Sequence, residues 1–251
     1  MAALHARSVG PLAEIEPGAD LAEMILTALD GEPLRDGCLV AIAHKAVSKT
    51  EGALVALADV RPGEQALALA GEQGKDARVL QVVLDESSEI LRAERGVLIC
   101  RTRHGFVCAN AGVDTSNAAD ADSVILLPRD PDASARAIRA RLRELSGASV
   151  AVLISDSFGR AWRNGQSDVA IGLAGMAALD DWRGRRDSRG MELRATWLAV
   201  ADSAAAAADL ARAKDSREPV VVIEGLERFA TPEDGPGAGP LLRALEEDLF
   251  R

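Results

Sequence analysis

Apolar residues along this chain follow two rhythms: a three-to-four-residue spacing in some stretches and short unbroken runs in others. In "PGADLAEMILTALDG" (17–31), Leu21, Met24, Ile25, Ala28 and Leu29 fall on one helical face. Asp20 stands at the N-cap with Glu23 three residues on. In "DPDASARAIRARLRELSG" (130–147), Asp130 caps, Pro131 suits the first turn, Ile138, Leu142 and Leu145 share a face, and Gly147 ends the helix. The segment 62–92 reads as mostly helical, and the Ala-rich "SAAAAADLARAKD" (203–215) as a helix.

The unbroken runs read as strands: "GCLVAIA" (37–43), two strands around a turn near His104-Gly105, "SVILL" (123–127), Ser149–Ile154 and "PVVVI" (219–223). "ELRATWLAV" (192–200) alternates as a strand does, whereas "TPEDGPGAGP" (231–240) reads as a flexible loop before a short C-terminal helix. Strands and helices mix without strict βαβ alternation, which predicts an α+β domain with mixed sheets and flanking helices. No long linker or internal repeat divides residues 1–251.

Composition narrows the function classes. Aromatics make up 3% with no Tyr, so Ala, Val and Leu must fill the core, and no stacking platform for single-stranded nucleic acid is expected. A net charge of −10 argues against a nucleic-acid or anionic-membrane surface. Cys38, Cys100 and Cys108 lie in apolar runs without a CxxC, which suggests reduced thiols and a cytoplasmic protein. "MAALHARSVG" lacks the apolar segment of a signal peptide, and no stretch approaches the roughly 20 apolar residues of a membrane span.

There is no GxxxxGK[ST] and no HExxH, and "GPGAG" lacks the flanking strand and helix of a dinucleotide fingerprint. Three polar segments that each follow an apolar run remain. In "HKAVSKTEG" (44–52), Lys45 and Lys49 are four apart, as an anion clamp requires and as a solvated basic turn also allows. In "NAGVDTSN" (110–117), Asp114 with Ser116 and Asn117 offers hard oxygen ligands for Mg²⁺ or Mn²⁺, or an Asx turn. In "SDSFGRAWRNGQSD" (155–168), Asp156 and Ser157 end a strand, and Arg160 and Arg163 follow. A carboxylate for a cation beside guanidinium donors suits bound phosphates, and an Asp–Arg pair also holds loops. Together, without a P-loop, the segments point to a metal–nucleotide site of another kind.

These residues, with "LLPRDPDASA" (126–135), "SDSFGRAWRNGQSDVAIGLAG" (155–175), "RDSRGMEL" (186–193), "VAD" (200–202) and "PVVVIEGL" (219–226), occur in an order that resembles the coenzyme F420:L-glutamate ligases. "GRAWRNGQSD" and the terminal "DLF" look most like the actinobacterial branch, whose ligase is fused to a nitroreductase-like flavin domain. With the chain ending at Arg251, that domain and its FMN are not expected. The resemblance implies an F420 ligase-like fold of two intertwined lobes, a homodimer, and small-molecule substrates. It also implies a GTP-dependent reaction: the precursor carboxylate is phosphorylated, and the amine of L-glutamate attacks the acyl phosphate. Later rounds extend a γ-linked tail.

By matching position, Asp114, Asp156 and Ser157 look like ligands of Mg²⁺ or Mn²⁺, with K⁺ as a further candidate ion. His44, Lys45, Lys49 and Asn117 look like nucleotide contacts. Arg160 and Arg163 are assigned to acyl-phosphate or substrate charge. The family's Gly-rich segment before "PVVV" is here "ARAKDSREP" (211–219), with Ala213 at the position of a Glu or Gln ligand and Lys214 as a substitute phosphate contact. Ser203 follows "VAD" where relatives carry Glu, and "SVGPL" replaces the usual N-terminal order. Two alternatives therefore stand beside the ligase: a deazaflavin- or nucleotide-binding paralogue without turnover, and a ligase for another carboxylate.

Overall fold

The computed structural model describes residues 3–115, 122–213 and 215–248, so Ser116, Asn117 and Lys214, all named above, lie outside the described residues. In chain order the first half holds β1 (His5–Val9), α1 (Leu21–Ala28), β2 (Leu39–Ala43), α2 (His44–Thr50), β3 (Leu54–Ala56), α3 (Glu64–Gln73), α4 (Ala77–Asp85), β4 (Ser87–Glu94), β5 (Val97–Thr102) and β6 (Val107–Ala109). The second half holds β7 (Ser123–Ile125), α5 (Pro131–Ser146), β8 (Ala151–Arg160), β9 (Arg163–Ala174), β10 (Leu179–Asp181), β11 (Trp197–Ala199), α6 (Val200–Ala211) and β12 (Val220–Glu224). The α+β expectation holds, with several sheets.

A five-stranded sheet, β1-β12-β2-β8-β9, forms the centre, and only the β2–β8 pairing is parallel. Its strands alternate between two apolar layers, as the two-residue period of a strand requires. Val40, Ile42, Val152, Ile154 and Val222 face α1 and α5. Leu39, Ala41, Leu153, Val221 and Ile223 face α6, whose Ala201, Ala204, Ala205 and Ala208 carry little bulk and let the helix lie close to the sheet. With both faces covered, the central strands read as continuous hydrophobic runs. A second body packs α3 and α4 against β5 and β7 around Leu57, Leu80, Val83, Leu98, Cys100 and Val124.

The helix signals at the caps work as the side chains suggest. Asp20 accepts the Glu23 N–H at 3.1 Å and Asp130 the Ala133 N–H at 2.9 Å. Gly147 ends α5 in the left-handed region that favours glycine.

Several expectations are corrected. "HKAVSKT" is helix α2 rather than a turn, because Ala46 and Val47 pack into the first core layer. Segment 62–92 ends in strand β4, paired with β5. The stretch after Ile154 is neither loop nor turn: β8 runs on to Arg160 and returns as β9. The strand expected over 192–200 shrinks to Trp197–Ala199, and Val200 already begins α6. Leu145 is exposed rather than on the buried face of α5. The segment 231–240 is tied down by buried side chains, and only 3₁₀ turns follow among the described C-terminal residues. β1 carried no clear signal; its partly covered residues serve an edge strand paired with β12.

Candidate active site

The parallel pairing of β2 and β8 makes their C-terminal ends emerge side by side, with Ala43 opposite Ser155. β2 passes without a linker into α2, so His44 and Lys45 leave the sheet beside Asp156 and Ser157. Carboxyl ends of adjacent parallel strands are where open α/β sheets place their ligands. The third contributor comes from the second body. Asp114 exchanges both backbone hydrogen bonds with Ile125 of β7 at 2.9 Å, which fixes its position against that body.

The side chains then meet in pairs. Lys45 Nζ lies 2.5 Å from Asp114 Oδ2, and His44 Nε2 lies 3.3 Å from Asp156 Oδ1. Adjacent residues at the start of α2 thus each meet one carboxylate, although consecutive helical positions point about 100° apart. His44 is 2% exposed, and its Nδ1 sits 3.3 Å from the Ser48 hydroxyl. Its buried Nε2 faces Asp156 without the alignment of a hydrogen bond. One turn further along α2, Lys49 donates to Glu14 Oε1 at 2.7 Å. Lys45 and Lys49 share a helix face, as an i,i+4 pair does. The Lys49 ammonium holds the Glu14 carboxyl below its ordinary range.

Ser157 turns the other way. Its backbone N–H donates to Asp156 Oδ1 at 2.7 Å, but its hydroxyl donates to Asp168 Oδ1 at 2.6 Å. Asp168 Oδ2 accepts the Ser155 hydroxyl at 2.7 Å and a contact from Arg212. Of the three proposed ligands, Asp114 and Asp156 therefore each pair with a residue of α2, while the Ser157 hydroxyl belongs to a network on the opposite face of β8. Arg160 and Arg163 flank the exposed tip of the β8–β9 hairpin, where Arg160 donates to the Asn164 carbonyl at 3.0 Å. Four residues of extended strand put Arg160 roughly 13 Å beyond Asp156. The structure does not bring these arginines to the lysines. Ala213 is exposed, and the Ser203 hydroxyl bonds back to the Ala199 carbonyl within α6.

Among the described residues no three His, Cys, Asp or Glu side chains come together as metal ligands, so Asp114 and Asp156, each beside a basic side chain, offer two carboxylates, a number that suits a hard divalent cation keeping waters and bridging to phosphate. Cys108, behind the cluster, is no candidate ligand or nucleophile: burial, with the Asp156 charge adding to it, pushes its thiol up to about 12. Sequence reasoning missed Glu14, Asp168 and Arg212. Asp168 did carry a signal, since it stands in phase with buried Ala170 on a strand, where an acidic residue must find a partner.

The fold and site define an α+β domain with charged pairs set at the ends of two adjacent parallel strands. Comparison with known proteins names the family. Residues 11–225 match the F420-0:Gamma-glutamyl ligase family, and the chain belongs to it. It is 45% identical over 237 residues to the coenzyme F420:L-glutamate ligase of Methanothermobacter thermautotrophicus, covering 93% of each chain. It is 45% identical over 243 residues to that of Methanopyrus kandleri, covering 95% of this chain and 94% of the relative. The corresponding ligase of Methanocaldococcus jannaschii is 42% identical over 221 residues.

Proposed function

We propose that this chain is a GTP- and divalent-metal-dependent ligase that joins L-glutamate to the F420 precursor, first through an amide bond and then through γ-linked additions. The observation that carries the reading is the pairing of Asp114 with Lys45 and of Asp156 with His44, at the ends of adjacent parallel strands, in a chain of this family.

The reaction needs the γ-phosphoryl group brought to the precursor carboxylate, then the glutamate amine brought to the acyl phosphate, with phosphate as the leaving group. Positioning and charge neutralisation supply most of the catalysis in such transfers. Asp114 and Asp156 would hold Mg²⁺ or Mn²⁺, which when bound offsets phosphate charge. Lys45 and Lys49 present two ammonium groups along one helix face to phosphate oxygens, each now neutralised by a carboxylate from another segment. His44, buried under them, steadies Asp156. Asn117 and Lys214 complete the nucleotide contacts in this reading. Arg160 and Arg163, out on the hairpin, take the charge of the anionic precursor rather than of the triphosphate. The reading includes a homodimer.

Incubating the chain with F420 precursor, L-glutamate, GTP and Mn²⁺ should yield glutamate-extended product by mass spectrometry. Asp156→Ala should lose turnover by at least about 100-fold while keeping its circular dichroism, the scale expected when a charge-stabilising group is lost. A folded parent protein that adds no glutamate overturns the reading, and nucleotide binding without turnover would favour the non-ligase paralogue.

A further inference from the structure

β8 changes character at Ser155. Up to Ile154 it is buried between two apolar layers, and beyond Ser155 it rises out of the core toward an exposed tip. At the same place the pairing with β9 slips, since Ile154 faces Gly172 while Ser155 faces Ala170. Hydrophobic packing therefore thins at Ser155: beyond it the partly buried Phe158 still packs on the first layer, edge-on to Phe106, while Ser155, Asp156 and Ser157 are held by polar partners. A bulge at that point adds local twist.

A buried ion pair takes over. The Asp168 side chain has no exposed surface, and the Arg212 side chain is 7% exposed. The two oxygens of Asp168 accept from Ser155 Oγ and Ser157 Oγ, the residues on either side of Asp156. Arg212 contacts Asp168, donates to Ser155 Oγ at 3.1 Å, and donates to the Pro219 carbonyl at 3.2 Å. It stands at the C-terminal end of α6, where the helix dipole favours a cation. Its segment leads to Arg217, whose carbonyl accepts the Leu12 N–H at 3.0 Å. One carboxylate thus ties β8, β9 and the α6–β12 connection together on the face of β8 opposite Asp156.

We propose that Asp168, held by Arg212, is the positioning residue of the site: by clamping the hydroxyls on both sides of Asp156 it fixes the rotation of β8 and so aims the Asp156 carboxylate at His44 and the cation position. Asp168 and Arg212 touch neither substrate nor metal in this role. They act through Asp156, and the inference rests on the ligase reading above. Outer partners that orient a ligating carboxylate typically carry a 10–100-fold share of metal affinity.

The test uses Mn²⁺ alone, titrated into the full chain and followed by its electron paramagnetic resonance signal, with thermal unfolding measured in parallel. Asp168→Asn keeps the shape but leaves Arg212 buried without its counter-charge. Ser155→Ala removes one clamp hydroxyl and keeps the ion pair, so it remains informative if Asp168→Asn does not fold. Ser155→Ala should weaken Mn²⁺ binding about tenfold. In an Asp156→Ala background the same change should have no further effect, because the route through Asp156 is gone. A general loss of stability would not produce that non-additivity. Ser155→Ala binding Mn²⁺ within twofold of the parent overturns the positioning role, as does an undiminished effect in the Asp156→Ala background. A parent protein that takes up no Mn²⁺ overturns the ligase reading and the positioning role with it.

Discussion

Gly172 shows how little room the core leaves to a single residue. A Cβ added there would lie 2.4 Å from the Pro131 carbonyl oxygen, so β9 and the start of α5 touch through backbone. Gly172→Ala should therefore cost about 1–3 kcal/mol, read as a lower urea midpoint with an unchanged slope. The cysteines make a second residue-scale prediction. Burial raises all three thiols, Cys38 to about 11 and Cys108 to about 12. Iodoacetamide at pH 8 should leave them unmodified in the folded chain and label all three in urea. Because these folded-state pKa values lie above those of the unfolded chain, their contribution to stability is present below the unfolded value and fades as pH rises through the folded one. At this scale the motif residues were legible: Asp114, Asp156, Lys45 and His44 stand where apolar runs stop, and the structure pairs them. Glu14 and Arg212 were not, because their partners lie 35 and 44 positions away and no local pattern links them.

At the scale of elements, polar side chains fasten what looks from sequence like free loop. Arg139, 7% exposed, donates to the Val150, Thr231 and Pro232 carbonyls and pairs with Asp234. Asp132 accepts from both Leu173 and Ala238 backbone N–H groups. Arg139→Met should lower stability by about 1–3 kcal/mol, since the buried Val150 carbonyl loses its donor along with the half-exposed pair to Asp234. Asp202 offers a pH test. Burial raises its carboxyl pKa, and it accepts the Ala170 N–H at 3.0 Å. Its stabilising share is full at acid pH and lost as pH rises through the folded-state value. Asp202→Asn keeps the acceptor and removes the titration, so its melting temperature relative to the parent should climb between pH 4 and pH 7. Helices with caps and covered strands were readable because their signals are local. α2 and the outer half of β8–β9 were not, because polar residues there are held by tertiary partners rather than by their own periodicity.

At the scale of the molecule, two packed bodies meet through the site, where Lys45 of the sheet body reaches Asp114 of the other. The β10–β11 pair roots on the α6 side of the sheet body through Leu179, and the connection between its strands carries Arg183, Arg185, Arg186, Arg189 and Arg194 exposed. Brief trypsin treatment should cut first between residues 183 and 194 and leave the flanking pieces associated. A first cut inside the central sheet would contradict this architecture. Among the described residues no helix is long and apolar enough to cross a membrane.

The sheet order also sets a timetable. β12 lies between β1 and β2, both of which precede it in the chain, so β1 has no neighbour in the sheet until residue 224 has been synthesised. Long-range pairings of this kind form late. The growing chain on a ribosome therefore carries an open edge of β2 until β12 emerges, and a transcript truncated before residue 220 would yield a polypeptide that keeps Lys45, Lys49, Asp114 and Asp156 yet has lost the strand that pairs with β2.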